Sequence, residues 1–141
     1  MKLLLQTIGL FISQTILEVI IMALLAKLGV PYMDFNAGGE SVIELLTGIA
    51  YYYSLSKVVI FILPYLVLMF LGKRVYQKIS LIQLNLIISI ILTVAFWFYF
   101  DNPLQEIYNP VLGTLLAGLF ILFFRISIAK YDKRIIKSKA L

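Results

Sequence analysis

The sequence predicts an all-α membrane protein of four transmembrane helices with both ends in the cytoplasm (N-in/C-in). Three observations carry that prediction. Of 141 residues, 62 % are hydrophobic and 13 % charged, against roughly 45–50 % and about 25 % in soluble domains. Four apolar runs reach the ~20 residues that a helix needs to cross a bilayer. The basic residues outside those runs gather almost entirely on one side of a four-span arrangement. A soluble domain of this length could not hide so much apolar surface, so lipid has to cover the rest.

The chain reads as one transmembrane domain over residues 1–141, with spans at about 3–28, 51–72, 79–100 and 109–129 and a basic tail at 130–141. It has no Gly/Ser- or Pro-rich linker and no repeat. The first run follows Met1-Lys2, yet Gln6, Ser13, Gln14 and Glu18 interrupt it and no small-x-small cleavage site follows. It is therefore expected to be an uncleaved helix and not a signal peptide. It ends at the turn signal Gly29-Val30-Pro31. The second span ends at Gly72 before Lys73-Arg74, the third stops at Asp101-Asn102-Pro103, and the fourth starts near Asn109-Pro110.

The approach to the second span is unusual. Ser41-Val42-Ile43-Glu44 matches a capping box. A helix from there to Leu71 would be about 45 Å long, which exceeds the ~30 Å hydrocarbon core. Either a helical segment projects outward, or residues 41–50 lie in the interface and the span begins at Tyr51. The run Tyr51-Tyr52-Tyr53 reads as an aromatic belt at the headgroup level, with a tyrosine-lined ligand site as the alternative. On the same side, Asn102-Pro103 predicts a helical turn before the fourth span.

Charge sets the orientation. Lys2, Lys73, Arg74, Lys78, Arg125, Lys130, Lys133, Arg134, Lys137 and Lys139 share one side. Asp34, Glu40, Glu44, Asp101 and Glu106 share the other. Only Lys27, at a helix end where it can snorkel, breaks the partition. Lys/Arg bias in short loops marks the cytoplasmic face, so the expected location is a cytoplasmic (inner) membrane. Lys73, Arg74, Lys78, Lys130, Lys133, Arg134 and Lys137 are then expected to meet anionic lipid headgroups. The net charge of +5 is ascribed to that face, and no nucleic-acid partner is expected. From Arg125 to Lys139 basic residues alternate with Ile126, Ile128, Tyr131, Ile135 and Ile136, as in an amphipathic helix continuing span four along the inner leaflet.

The chain has no cysteine and no histidine, which excludes disulfides, thiolate chemistry and imidazole-ligated metals. It carries no phosphate loop, nucleophile elbow or acidic cluster with metal spacing, so neither cofactor nor metal is expected. Its chemistry lies within the spans. Thr7, Gln14 and Glu18 fall within about 40° on one helical face. A carboxylate at such depth faces the interior and is a functional candidate, or else a polar contact that pins helices together. Lys57 is its natural partner: helical rise puts Glu18 about 14 Å and Lys57 about 9 Å below the outer boundary, within reach of two long side chains.

Further features concern packing. Pro64 lies mid-span and frees a carbonyl one turn upstream, a possible hinge. Asn85, Ser89 and Thr93 recur every four residues, a stripe suited to interhelical hydrogen bonds. Gly113, Thr114, Ala117 and Gly118 form two small-x-x-x-small pairs that allow close helix approach. The opposite side bears Phe120, Phe123 and Phe124. Size, residue types and packing faces together lead to the expectation of a non-catalytic subunit or assembly partner of a larger membrane complex, in contact with other membrane chains or with copies of itself. The alternative is a homo-oligomeric pore or small ion or solute transporter with Glu18, Gln14 and Thr7 along its path. An intramembrane enzyme using Glu18 or Asp101 is a third, weaker reading.

Overall fold

A computed structural model describes residues 2–30, 41–99 and 107–139, with side chains up to residue 126. The described residues form helices and turns without a strand: α1 (Lys2–Lys27), α2 (Val42–Ile49), a π-helical turn (Ala50–Ser54), α3 (Leu55–Val75), α4 (Leu81–Tyr99) and α5 (Tyr108–Lys139). Among the described residues, four stretches are long and apolar enough to cross a membrane: Leu3–Lys27, Val42–Val75, Leu81–Tyr99 and Tyr108–Ile126. The protein is an all-α, four-helix membrane protein. The expected turn at Asn102-Pro103, the acids Asp34, Glu40, Asp101 and Glu106, and the side chains of Lys130, Lys133, Arg134 and Lys137 lie outside the described residues.

Local signals explain the helix ends. Gly29 closes α1 with φ +89°, a left-handed geometry that favours glycine. The amide of Val30 then reaches back to the Leu25 carbonyl at 2.9 Å, a Schellman-type stop. Ser41 caps α2 through a reciprocal capping box with Glu44. The same device recurs at α4, where Ser80 and Gln83 exchange backbone-to-side-chain bonds of 3.1 and 3.2 Å; the sequence reading overlooked it. Between α3 and α4, Lys73 Nζ donates to the carbonyls of Gln77 and Ile79 at 3.0 and 2.8 Å, so this side chain also fastens the turn.

The backbone also resolves two element ends. Of the two expectations for residues 41–50, the structure shows the unbroken long helix: α2, the π turn and α3 form one continuous 34-residue helix, and Leu45 and Ile49 are buried along it where α2 packs on α1. At about 1.5 Å per residue its ~51 Å exceeds the hydrocarbon thickness, as does its neighbour α1, on which the first turns lay Leu45 and Ile49 while Val42 and Ile43 stay exposed. The backbone of α5 runs on past the expected end of the span near residue 129 and stays helical through Lys139, the continuation expected from the alternating basic and apolar residues of the tail.

Neighbouring helices pack around a ring. α1 packs on α5, α5 on α4, α4 on α3, and the α2–π segment returns to α1. The polarity is reversed relative to a soluble bundle. Ile12, Ile16, Ile20 and Leu24 form an exposed stripe on α1, and Val59, Leu63 and Val67 one on α3. Glu18, Lys57, Gln14, Asn85, Ser89, Thr93 and Thr114 are buried instead. Apolar surface outside and polar groups inside is the arrangement that lipid as solvent requires.

Candidate functional site

Most of the buried polar side chains converge on one cluster, built from every span. Glu18 comes from α1, and both of its oxygens are occupied. Oε1 accepts from Gln14 Nε2 at 3.0 Å. Oε2 accepts from the Tyr53 hydroxyl at 3.1 Å and forms an ion pair with Lys57 Nζ. Lys57 is held in turn by Tyr53, whose hydroxyl lies 3.3 Å away and whose ring centroid lies 5.2 Å away. Glu18 is fully buried and Lys57 is 2 % exposed. A lone charge in such surroundings would cost several kcal/mol or be neutralised; here each charge meets its opposite and further hydrogen-bonding groups.

The cluster extends in two directions. Gln14 Nε2 also donates to the Thr114 backbone carbonyl on α5 at 2.9 Å. Its Oε1 accepts from Asn85 Nδ2 on α4 at 3.2 Å, and Asn85 Oδ1 accepts from the Tyr65 hydroxyl on α3 at 2.5 Å. On the other side Tyr53 approaches Thr93 Oγ1 at 3.3 Å, which lies 2.9 Å from Thr114 Oγ1 and donates to the Ser89 carbonyl at 2.8 Å. Aromatic rings cover the cluster: Tyr53 meets Phe96 edge-on at 5.7 Å, and Phe11 meets Tyr65 at 4.7 Å.

Glycine makes room for these contacts. A Cβ on Gly113 would stand 2.5 Å from Met22 Cγ and 3.7 Å from the Glu18 carbonyl oxygen, so α5 approaches α1 at the level of the carboxylate. One on Gly118 would stand 2.3 Å from Leu86 Cδ1, so the same helix fits closely against α4. Ala117 is buried as well, while Phe120, Phe123 and Phe124 are exposed. The small-residue face is used within this chain.

The structure thus brings Glu18, Gln14, Lys57, Asn85, Thr93 and Thr114 into contact, with the Ser89 backbone joined to them. Thr7 stays apart. It is buried, but its hydroxyl turns back to the Leu3 carbonyl at 2.9 Å, the usual local alternative for a helical threonine. Pro64 lies on the exposed face of α3, away from the cluster. Arg74 and Lys78 are exposed.

Sequence reasoning missed Tyr53 and Tyr65. Tyr51 and Tyr52 are exposed, as a belt requires, but Tyr53 is buried. A four-residue step was the available signal, since Tyr53, Lys57, Phe61, Tyr65 and Met69 are all buried along one side. It also missed Asn109, whose buried Nδ2 donates to the Met22 and Val30 carbonyls at 3.2 and 2.8 Å and ties the start of α5 to the end of α1. Among the described residues, no group of three or more acidic side chains could hold a metal ion. No protein-family model, curated protein or solved structure matches the chain.

Proposed function

We propose that this chain is a non-catalytic, multi-pass protein of a cytoplasmic membrane that acts as a subunit or assembly partner in a larger membrane complex. One observation carries the reading. The central cluster is closed: Glu18, Gln14, Lys57, Tyr53, Asn85, Thr93 and Thr114 are at most 2 % exposed and bond to one another. A substrate site keeps polar groups facing an open space, whereas mutually satisfied buried groups fix one packing arrangement. On this reading the cluster is a lock on helix order, and the lipid-exposed faces remain for partners. The basic end, with Lys73, Arg74, Lys78 and the 130–141 tail, faces the cytoplasm and its anionic leaflet.

The experiment is extraction from native membranes in mild detergent, followed by native mass spectrometry. A fixed stoichiometry with other chains is the expected result. A symmetric oligomer of this chain alone would refute it.

A second reading, a small ion or solute transporter, is favoured by one feature. Carboxylate, ammonium and phenol are in contact within a membrane-spanning bundle, a set of groups able to exchange protons. Reconstituted vesicles separate the two. Ion or proton flux that Glu18→Gln abolishes while the fold persists supports transport, and no flux above empty vesicles supports the lock.

A further inference from the structure

At the basic end of the bundle a cleft of about 600 Å³ opens between α1, the start of α4 and α5, within the ~300–1,000 Å³ range of small-molecule sites. Lys73 and Arg125 line it together with Gln6, Ser13 and Ser80. Gln6, Gly9 and Ser13 lie three and four residues apart, which puts them on one helical face. They form a polar strip on a helix whose neighbouring outward stripe, from Ile12 to Leu24, is apolar.

This strip is costly where it stands. Gln6 and Ser13 are exposed, and neither side chain has a hydrogen-bond partner among the described residues. Ser13 is about 16 Å along α1 from Lys2, so the strip runs well into the hydrocarbon layer. Acyl chains offer no acceptor to an amide or hydroxyl there. The two cations add the complementary half. Lys73 is oriented by its bonds to Gln77 and Ile79, which use two of its three N–H groups and leave one. Arg125 is exposed, and its planar fork matches phosphate oxygens. The lining also contains Leu3 and Leu10.

We infer that this cleft is a binding site for one anionic phospholipid. Lys73 and Arg125 take its phosphate, Gln6, about 6 Å along α1 from Lys2, donates to its ester carbonyls, and an acyl chain lies deeper, against the leucines. The vertical order fits, because ester groups lie deeper than phosphate in a leaflet. The inference holds for a subunit or a transporter alike. It needs only that the basic end meets a headgroup layer, which the labelling experiment in the Discussion tests separately. Gly9 gives a selective handle. A Cβ there would meet nothing within 4 Å, so a larger side chain fills the cleft without disturbing the bundle.

The test is native mass spectrometry of the purified protein titrated with phosphatidylglycerol, phosphatidylcholine or inorganic phosphate. One phosphatidylglycerol is expected to bind at least tenfold more tightly than phosphatidylcholine. Gly9→Leu, which changes no charge, and Arg125→Gln should each weaken it about tenfold, the scale of one charge-assisted contact. Lys27→Gln, which removes an exposed charge at the opposite end of α1, should leave it unchanged. Unaltered fluorescence of Trp97 verifies folding of each variant. Equal retention of both lipids, wild-type binding by Gly9→Leu, or an equal loss with Lys27→Gln overturns the inference. Inorganic phosphate binding as tightly as the lipid does so too, by assigning the cleft to a soluble anion.

Discussion

Neutralising Glu18 alone is predicted to unfold the bundle more readily than neutralising Glu18 and Lys57 together. In Glu18→Gln the amide still accepts from Gln14 or Tyr53, but Lys57 keeps its charge with no carboxylate to meet it. Lys57 is 2 % exposed, so water cannot replace the lost partner. An orphaned cation at this depth costs about 3 kcal/mol. Lys57→Met alone is milder, about 2 kcal/mol, because Gln14 and Tyr53 still donate to Glu18 and protonation can remove its charge. If the sites were independent, the double variant would lose about 5 kcal/mol. We predict a loss of about 2 kcal/mol, since the orphaned charge is absent and the bonds around Tyr53 and Gln14 are only partly damaged. The assay is equilibrium unfolding in mixed micelles of rising dodecyl sulfate content. Trp97, the single tryptophan and fully buried, is the fluorescent probe. Additive losses would show that the two side chains do not depend on each other, and the ion pair would lose its role as the centre of the cluster.

Three further outcomes follow from the geometry. Tyr53→Phe should cost about 1–3 kcal/mol by removing a phenol oxygen shared by Glu18, Lys57 and Thr93, while Tyr51→Phe, at an exposed ring, should leave the same unfolding midpoint unmoved; equal effects would mean the π turn does not select Tyr53. Gly113→Leu should destabilise by more than the ~1–3 kcal/mol of ordinary overpacking, because Met22 and the α1 backbone stand in the way, whereas Gly118→Ala meets mainly the mobile end of Leu86 and should cost less; the reverse ranking would refute the close contact with α1. For orientation, a cysteine at Asn36 should react with an impermeant thiol reagent on intact cells and one at Lys137 should not; labelling of Lys137 alone, or of both, would overturn the N-in/C-in arrangement.

What could be read from the sequence is what local chemistry determines. Span number follows from apolar length, the stop of α1 from Gly29 and the start of α2 from the capping box at Ser41, each a signal within a few residues. The small-residue face of α5 was visible too, since its pattern repeats every four residues. Its division between two neighbours was not, because a one-dimensional pattern names a face and not the helix opposite it. Tyr53 was hidden for a similar reason. In Tyr51-Tyr52-Tyr53 the residue type is constant, so only backbone phase decides which ring turns inward. That phase is altered by the π turn from Ala50 to Ser54, and no residue in the segment announces a π turn in the way that Pro or Gly announces a break. Thr7 shows the opposite error. It shares a face with Gln14 and Glu18, but a hydroxyl can satisfy itself one turn back, so sharing a face did not imply joining the cluster.

The polar cluster and the glycine contact are best understood as one device. In lipid, exposed and buried apolar surfaces have nearly the same solvation, so the hydrophobic effect does little to choose among helix arrangements. Shape and hydrogen bonding must choose instead. Gly113 admits the α1 backbone to within van der Waals range of α5, and that approach brings the Thr114 carbonyl within 2.9 Å of Gln14 Nε2. The same residue's hydroxyl meets Thr93 on α4 at 2.9 Å. Exchange α4 and α5 in the ring, or rotate α5 by one residue, and Gln14, Thr93 and Thr114 lose these partners together, leaving unmatched polar groups in a medium that cannot solvate them. The penalty falls on wrong arrangements more than it rewards the right one. That asymmetry explains why a bundle would retain a buried ion pair whose net contribution to stability is small.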